Sequence, residues 1–260
     1  TGEILHSYEG TEGATEIVLC DGSLHIVAGV VNADAMAEAA ARRGASPPPR
    51  NKWIITFDAA SGDLLWKIEG ADVNAILPTT LCTDGTLLAF QNPRELICYD
   101  SDSGELVWRA DRLCRSQRMG WSTPTVVIKD GVILSADCEP TEGASGGDTL
   151  QWTPTQAPKR GDDSLGSLIA FSTEDGRELW RCLTSQGYNS PADVFIADGL
   201  VWCSSVSNIT TDDFTVGRNL QTGRVEREID TSTAFDAAHH HRCYRNKATD
   251  DFILLGRTGT

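Results

Sequence analysis

Ser61-Gly62-Asp63-Leu64-Leu65-Trp66 is the stretch that decides the fold, because the chain repeats it. It returns as Ser103-Gly104-Glu105-Leu106-Val107-Trp108 and as Asp175-Gly176-Arg177-Glu178-Leu179-Trp180. Weaker copies stand at Thr222-Gly223-Arg224-Val225-Glu226-Arg227 and at Thr1-Gly2-Glu3-Ile4-Leu5-His6. A turn dipeptide followed by a short apolar run is a β-turn feeding a strand. A second phrase precedes each complete copy: an apolar run, Asp-Gly, and another apolar run, with the turns at 21–22, 84–85, 130–131 and 198–199. Both residues of Asp-Gly tolerate positive φ, which makes the dipeptide a strong hairpin signal. Each unit therefore reads as four strands, a, b, c and d.

The turn glycines at 2, 62, 104, 176 and 223 are separated by steps of 60, 42, 72 and 47 residues. The shorter steps match a four-stranded propeller blade of roughly 40–50 residues. The longer ones are the same unit with an insertion. The expectation is an all-β β-propeller of four-stranded antiparallel blades, with four complete blades at about 15–70, 74–110, 122–183 and 190–230. Residues 1–10 and 239–260 read as partial blades, so the chain reads as an open arc, a fragment of a larger propeller of seven or eight blades. Insertions fall at 30–52 and 139–166. In the first, Ala33 to Arg43 carries helix signals, with arginines at its end and Gly44 beyond.

The chain has 260 residues and a formal net charge of −15, which excludes a nucleic-acid binder relying on a basic footprint. No apolar run reaches the roughly 18 residues of a membrane span. The eight cysteines, at 20, 82, 98, 114, 138, 182, 203 and 243, are scattered singly with no Cys-x-x-Cys. They read as buried thiols inside strands or as disulfides of an exported protein, and spacing alone assigns no pairing.

Phe57-Asp58-Ala59-Ala60-Ser61-Gly62 through Trp66 resembles the blade motif of PQQ-like propellers, Ala-x-Asp-x-x-Thr-Gly-x-x-x-Trp. Tyr99-Asp100 through Trp108 fits it too, and Phe171-Ser172 through Trp180 fits with Ser in place of Asp. That family includes quinoprotein dehydrogenases, a non-catalytic lipoprotein of the outer-membrane β-barrel assembly machinery, and many bacterial repeat proteins of unassigned activity. The resemblance implies a periplasmic or extracytoplasmic protein. It also implies that Trp66, Trp108 and Trp180 are structural, packing blade on blade. Membership in the dehydrogenase branch would imply PQQ with Ca²⁺ and a disulfide of adjacent cysteines. No Cys-Cys dipeptide occurs and no motif marks a ligand set, so no cofactor and no catalytic residue is assigned. The expected function is a non-catalytic binding or scaffold propeller within a larger exported bacterial protein. A PQQ-dependent oxidoreductase with part of its site outside this segment is the alternative.

In an up-and-down blade the b–c and d–a connections share one face, and the Asp-Gly and Ser-Gly turns share the other. Long loops on a rigid scaffold commonly carry binding residues. The d–a connections hold the densest polar and aromatic stretches, which makes Arg118, Trp121, Asn189, Asp193, His240, His241, Arg242 and Arg245 the candidate ligand-binding face. The basic spot at Arg242, Arg245 and Lys247 on an acidic chain suits a small anionic ligand or an acidic segment of a protein partner. His239, His241 and Cys243 lie on one side of a regular strand. They are weak metal candidates, short of a closed ligand set, and no metal is assigned.

Overall fold

The computed structural model describes residues 2–4, 6–31, 50–114, 117–119, 123–138, 151–153, 165–185, 192–203, 216–229 and 247–254. Among the described residues it is all-β apart from one helical turn. The first sheet is built from β1 (Glu16–Cys20), β2 (Ser23–Val30), β3 (Arg50–Asp58) and β4 (Leu64–Glu69), in that order. The second is built from β5 (Cys82–Thr83), β6 (Leu87–Gln91), β7 (Glu95–Asp100) and β8 (Leu106–Asp111). Between them α1 (Ala71–Asn74) makes a single turn that buries Val73. The short β9 (Gln117–Met119) precedes the third sheet, which orders β10 (Thr125–Lys129), β11 (Val132–Cys138), β13 (Leu165–Ser172) and β14 (Glu178–Ser185). β12 (Gln151–Thr153) lies between β11 and β13 in the chain, outside that sheet. β15 (Val194–Ala197), β16 (Leu200–Cys203), β17 (Val216–Asn219) and β18 (Val225–Glu228) form the fourth sheet, and β19 (Lys247–Ala248) with β20 (Ile253–Leu254) forms a hairpin. Four four-stranded antiparallel sheets, each ordered as in the chain, are the blades of a β-propeller. The proposed helix over 33–43 lies outside the described residues.

The local reasons are visible turn by turn. At Asp21-Gly22, Asp130-Gly131 and Asp198-Gly199 both residues take positive φ, between +45° and +82°, the mirror-image turn whose twist matches its strands. Asp84-Gly85 departs from this, with only Gly85 at positive φ. The Asp84 carboxylate instead accepts the N–H groups of Thr86 (3.0 Å) and Leu87 (2.9 Å), which holds its backbone out of the left-handed region. Each c–d turn is closed the same way in all four sheets. The glycine N–H donates to the carbonyl four residues earlier, from Gly62, Gly104, Gly176 and Gly223 to residues 58, 100, 172 and 219. Asp58, Asp100 and Asn219 then each accept two further backbone N–H groups through Oδ1. Ser172, with one hydroxyl in that place, accepts one, from Glu174.

Two compact units emerge, one of Thr1–Asn92 with Ile97–Val107, the other of Pro93–Leu96 with Trp108–Thr260. In the first, Val27 and Ile54 of the first sheet meet Leu88, Phe90 and Ile97 of the second, with Val73 and Ile76 completing the core. Ile26, Ala28, Ile55 and Phe57 on the other face of the first sheet pack with Tyr8 and Trp53. In the second unit Leu134, Ala136, Leu168 and Ala170 meet Val194, Val201 and Cys203 around Trp180.

The repeated tryptophans occupy equivalent places on the outermost strands, β4, β8 and β14. Trp66 Nε1 donates to the Ser101 carbonyl (2.9 Å), Trp108 Nε1 to Thr173 (2.7 Å) and Trp180 Nε1 to Leu220 (2.8 Å). Each ring lies flush on the glycine of the turn it binds. A Cβ built on Gly104, Gly176 or Gly223 would come within 3.0 Å of the ring of Trp66, Trp108 or Trp180. Large flat aromatic area and one N–H suit a joint that must bury surface and satisfy a turn carbonyl at once. His6 takes the same place against Gly62, although 2–4 and 6–10 form no strand, having no ladder partner among the described residues.

Candidate functional site

The face that carries the b–c and d–a connections is fastened down by charged groups whose roles were not legible in the sequence. In the first unit Glu16, at the start of β1, accepts the N–H groups of Thr79 and Leu81, both at 2.9 Å, through its two oxygens. Lys52, at the root of the first insertion, donates from Nζ to the Ile76 carbonyl (2.6 Å), and its own N–H donates to Asn74 Oδ1 (3.1 Å). Burial pushes the Lys52 ammonium down to about 8, with Glu16 opposing the shift. Thr80 Oγ1 donates to Leu77 O (2.8 Å) and accepts from Gln91 N–H (3.2 Å), so the connection from α1 to β5 is held along its length.

In the second unit the corresponding fastener is Arg112, only 4% exposed. Its backbone N–H donates to Arg94 O (2.8 Å). Its guanidinium spans two strands: Nε donates to Ser135 Oγ of β11 (3.2 Å), and the two terminal nitrogens donate to Ser167 Oγ (3.1 Å) and Ser167 O (2.9 Å) of β13. A planar fork with fixed donors can bind two strands at once in a way an ammonium cannot. Ser167 stands opposite buried Asp137 in the β11–β13 ladder, where the second insertion leaves and rejoins the blade. Five residues beyond Arg112, β9 pairs in parallel with β12 inside that insertion, placing Arg118 opposite Trp152. β9 of the d–a connection and β12 of the second insertion thus form one two-stranded ribbon, which follows the Arg112 anchor in the chain.

Of the sequence-derived candidates, Arg118 lies on that ribbon. Asp193 is half-buried at the head of β15, next to Ala192, whose carbonyl accepts the Thr125 hydroxyl at the head of β10. Trp121, Asn189, His239, His240, His241, Arg242, Cys243 and Arg245 lie outside the described residues. Arg112 and Lys52 were missed because a lone basic residue near a strand end carries no mark of burial; only the fold reveals it. Along the innermost strands, segments 127–129, 194–196 and 248–250 line an open cleft of about 480 Å³. Among the described residues, no three His, Cys, Asp or Glu side chains converge as a metal site would need. No helix among them is long and apolar enough to cross a membrane.

A search of the curated proteins found no match. Similar solved structures include the computationally designed Ika4 protein, 13% identical over 80% of this chain and 95% of that one, with a TM-score of 0.48. They also include the quinohemoprotein alcohol dehydrogenase ADHIIG from Pseudomonas putida HK5, 14% identical over 83% of this chain and 33% of that one, TM-score 0.45. BamB from Moraxella catarrhalis is 16% identical over 88% of this chain and 68% of that one, TM-score 0.37. This chain thus spans about a third of the length of the quinohemoprotein. A family profile described as "Outer membrane protein assembly factor BamB", of the PQQ-like repeat type, matches residues 50–249. The chain belongs to that family of PQQ-like propeller-repeat proteins.

Proposed function

We propose that the chain is a non-catalytic binding and scaffold propeller, part of a larger exported bacterial protein, which holds a protein partner or a small anionic ligand on its insertion-bearing face. The observation that carries this reading is the anchored ribbon: Arg112 fixes the connection to β11 and β13, and β9–β12 pairing joins it to the second insertion. A paired two-stranded ribbon offers a partner a main-chain surface at low ordering cost. The family description, an outer membrane protein assembly factor, supports both a protein partner and a periplasmic or extracytoplasmic location.

The test uses the full-length protein with a photo-crosslinking residue at Arg118 or Trp152, and a control at Asp63 on the turn face. Partner adducts arise from the first two sites only. His241→Ala with Arg242→Ala weakens the adducts while changing stability by no more than about 0.5 kcal/mol. Equal adducts from Asp63, or unfolding of the double variant, would remove the assignment. So would stoichiometric PQQ binding in the presence of Ca²⁺ with dye-linked oxidation of an alcohol or sugar.

A further inference from the structure

Alternation along two facing strands brings a pair of cysteines together in the second unit. On β14 the side chains of Trp180, Cys182 and Thr184 share one side, since Arg181 and Leu183 between them are exposed. That side faces the fourth sheet, because Trp180 donates to Leu220 and joins the core around Val201 and Cys203. On β16, Val201 and Cys203 face back toward it, while Leu200 and Trp202 belong to a separate cluster on the other side. Cys182 packs against this same core, and its thiol and the Cys203 thiol share a hydrogen bond. Thr184 is hydrogen-bonded to Cys203 as well.

Arg218 completes the cluster. It stands opposite Val201 in the β16–β17 ladder and so projects from the same face. One terminal nitrogen donates to Gly223 O (3.1 Å), but its buried Nε has no hydrogen-bond partner among the described residues. Cys182 is the thiol that more readily loses its proton: the Cys203 hydrogen bond favours its thiolate first, against burial, and the Arg218 cation adds to this. Cys203 is held protonated by the same hydrogen bond and by its own burial. By contrast, Cys82 and Cys98 lie on β5 and β7 with β6 between them, about 9.6 Å apart at ordinary strand spacing and beyond the reach of a disulfide.

We propose that Cys182 and Cys203 are a redox-convertible pair whose oxidation staples the outermost strand of the third blade to the second strand of the fourth. The oxidant is a small-molecule disulfide of the glutathione class. The half-buried Cys182 thiolate attacks one of its sulfurs, the S–S bond of the oxidant breaks, and one thiolate leaves. Cys203, giving its proton to that departing thiolate, then attacks the sulfur of Cys182 and expels the second thiolate, which takes up the proton that Cys182 gave to solvent. Two protein thiols become one disulfide, two electrons pass to the oxidant, and two small thiols are released.

The experiment equilibrates the folded full-length protein with oxidised glutathione, blocks remaining thiols, and maps disulfide-linked peptides without reduction. A Cys182–Cys203 linked peptide is the expected product, reversed by dithiothreitol and absent when oxidation is done on the denatured chain with all thiols competing. Cys203→Ser, its fold checked by circular dichroism, accumulates a glutathione adduct on Cys182, and Cys182→Ser yields neither product. If Cys203→Ser does not fold, the linked peptide from the unsubstituted protein decides alone. Recovery of both cysteines as blocked free thiols, or linkage of either to a different cysteine in the folded protein, overturns the proposal.

Discussion

Substituting Gly176 by Ala isolates the energetics of the joint between a turn and the tryptophan that covers it. The new Cβ would stand 2.6 Å from Trp108 Cε3 and 2.9 Å from Cδ2. The ring has little freedom to retreat, being 8% exposed and held by its Nε1 bond to Thr173 O at 2.7 Å. Gly176 also has φ +71°, where an alanine is disfavoured by about 1 kcal/mol. Overpacking adds about 1–3 kcal/mol, so the whole cost is about 2–4 kcal/mol. Gly199→Ala is the matched control: its φ is +69°, yet nothing lies within 4 Å of its Cβ position. It carries only the backbone cost of about 1 kcal/mol, and the effect of the methyl on the unfolded chain is common to both variants and cancels. Urea denaturation followed by circular dichroism measures the difference, with the slope unchanged. In a Trp108→Leu background the extra cost of Gly176→Ala collapses toward that of Gly199→Ala, a coupling that a double-mutant cycle reads directly. Equal midpoints for Gly176→Ala and Gly199→Ala would refute the claim that ring contact, rather than turn geometry, makes this glycine necessary.

Trp66→Phe keeps most of the ring area but leaves the buried side of the Ser101 carbonyl without its indole donor, at a cost of about 1–3 kcal/mol in the same denaturation assay. His25, fully buried between Thr56 Oγ1 (2.8 Å) and Ser101 Oγ (3.3 Å), has its pKa lowered by burial. The unfolded chain therefore takes up the proton first, and the stability His25 contributes is complete above about pH 6.5 and lost as pH falls through the folded value; His25→Gln flattens that acid limb, and an NMR titration shows the ring resisting protonation. Lys52 follows the same proton logic at higher pH: with its folded value about 8 and its unfolded value 10.5, the unfolded chain holds more protons between them. Stability thus rises with pH across that window, and the rise disappears in Lys52→Met when the two pH profiles are subtracted.

The repeat decided more about this protein than any single residue could. Turn chemistry is local: Asp-Gly and Ser-Gly fix backbone φ within two residues, and Asp58, Asp100 and Asn219 cap their turns from within the same four residues. The four-stranded blades, their strand order and the structural tryptophans were therefore legible from the sequence. What the tryptophans touch was not. The carbonyls of Ser101, Thr173 and Leu220 lie 35, 65 and 40 residues from the indoles that bind them, and no local pattern encodes that pairing. The same limit separates the two kinds of site residue. Arg118 could be placed on a d–a connection by counting strands, but Arg112 became the anchor only because folding brings Ser135 and Ser167 to it from 23 and 55 residues away. Eight cysteines were likewise equivalent in the sequence, until facing strands selected Cys182 and Cys203. Backbone conformation follows from neighbours in the chain, whereas burial, charge environment and contact follow from neighbours in space, and only the tertiary structure supplies those.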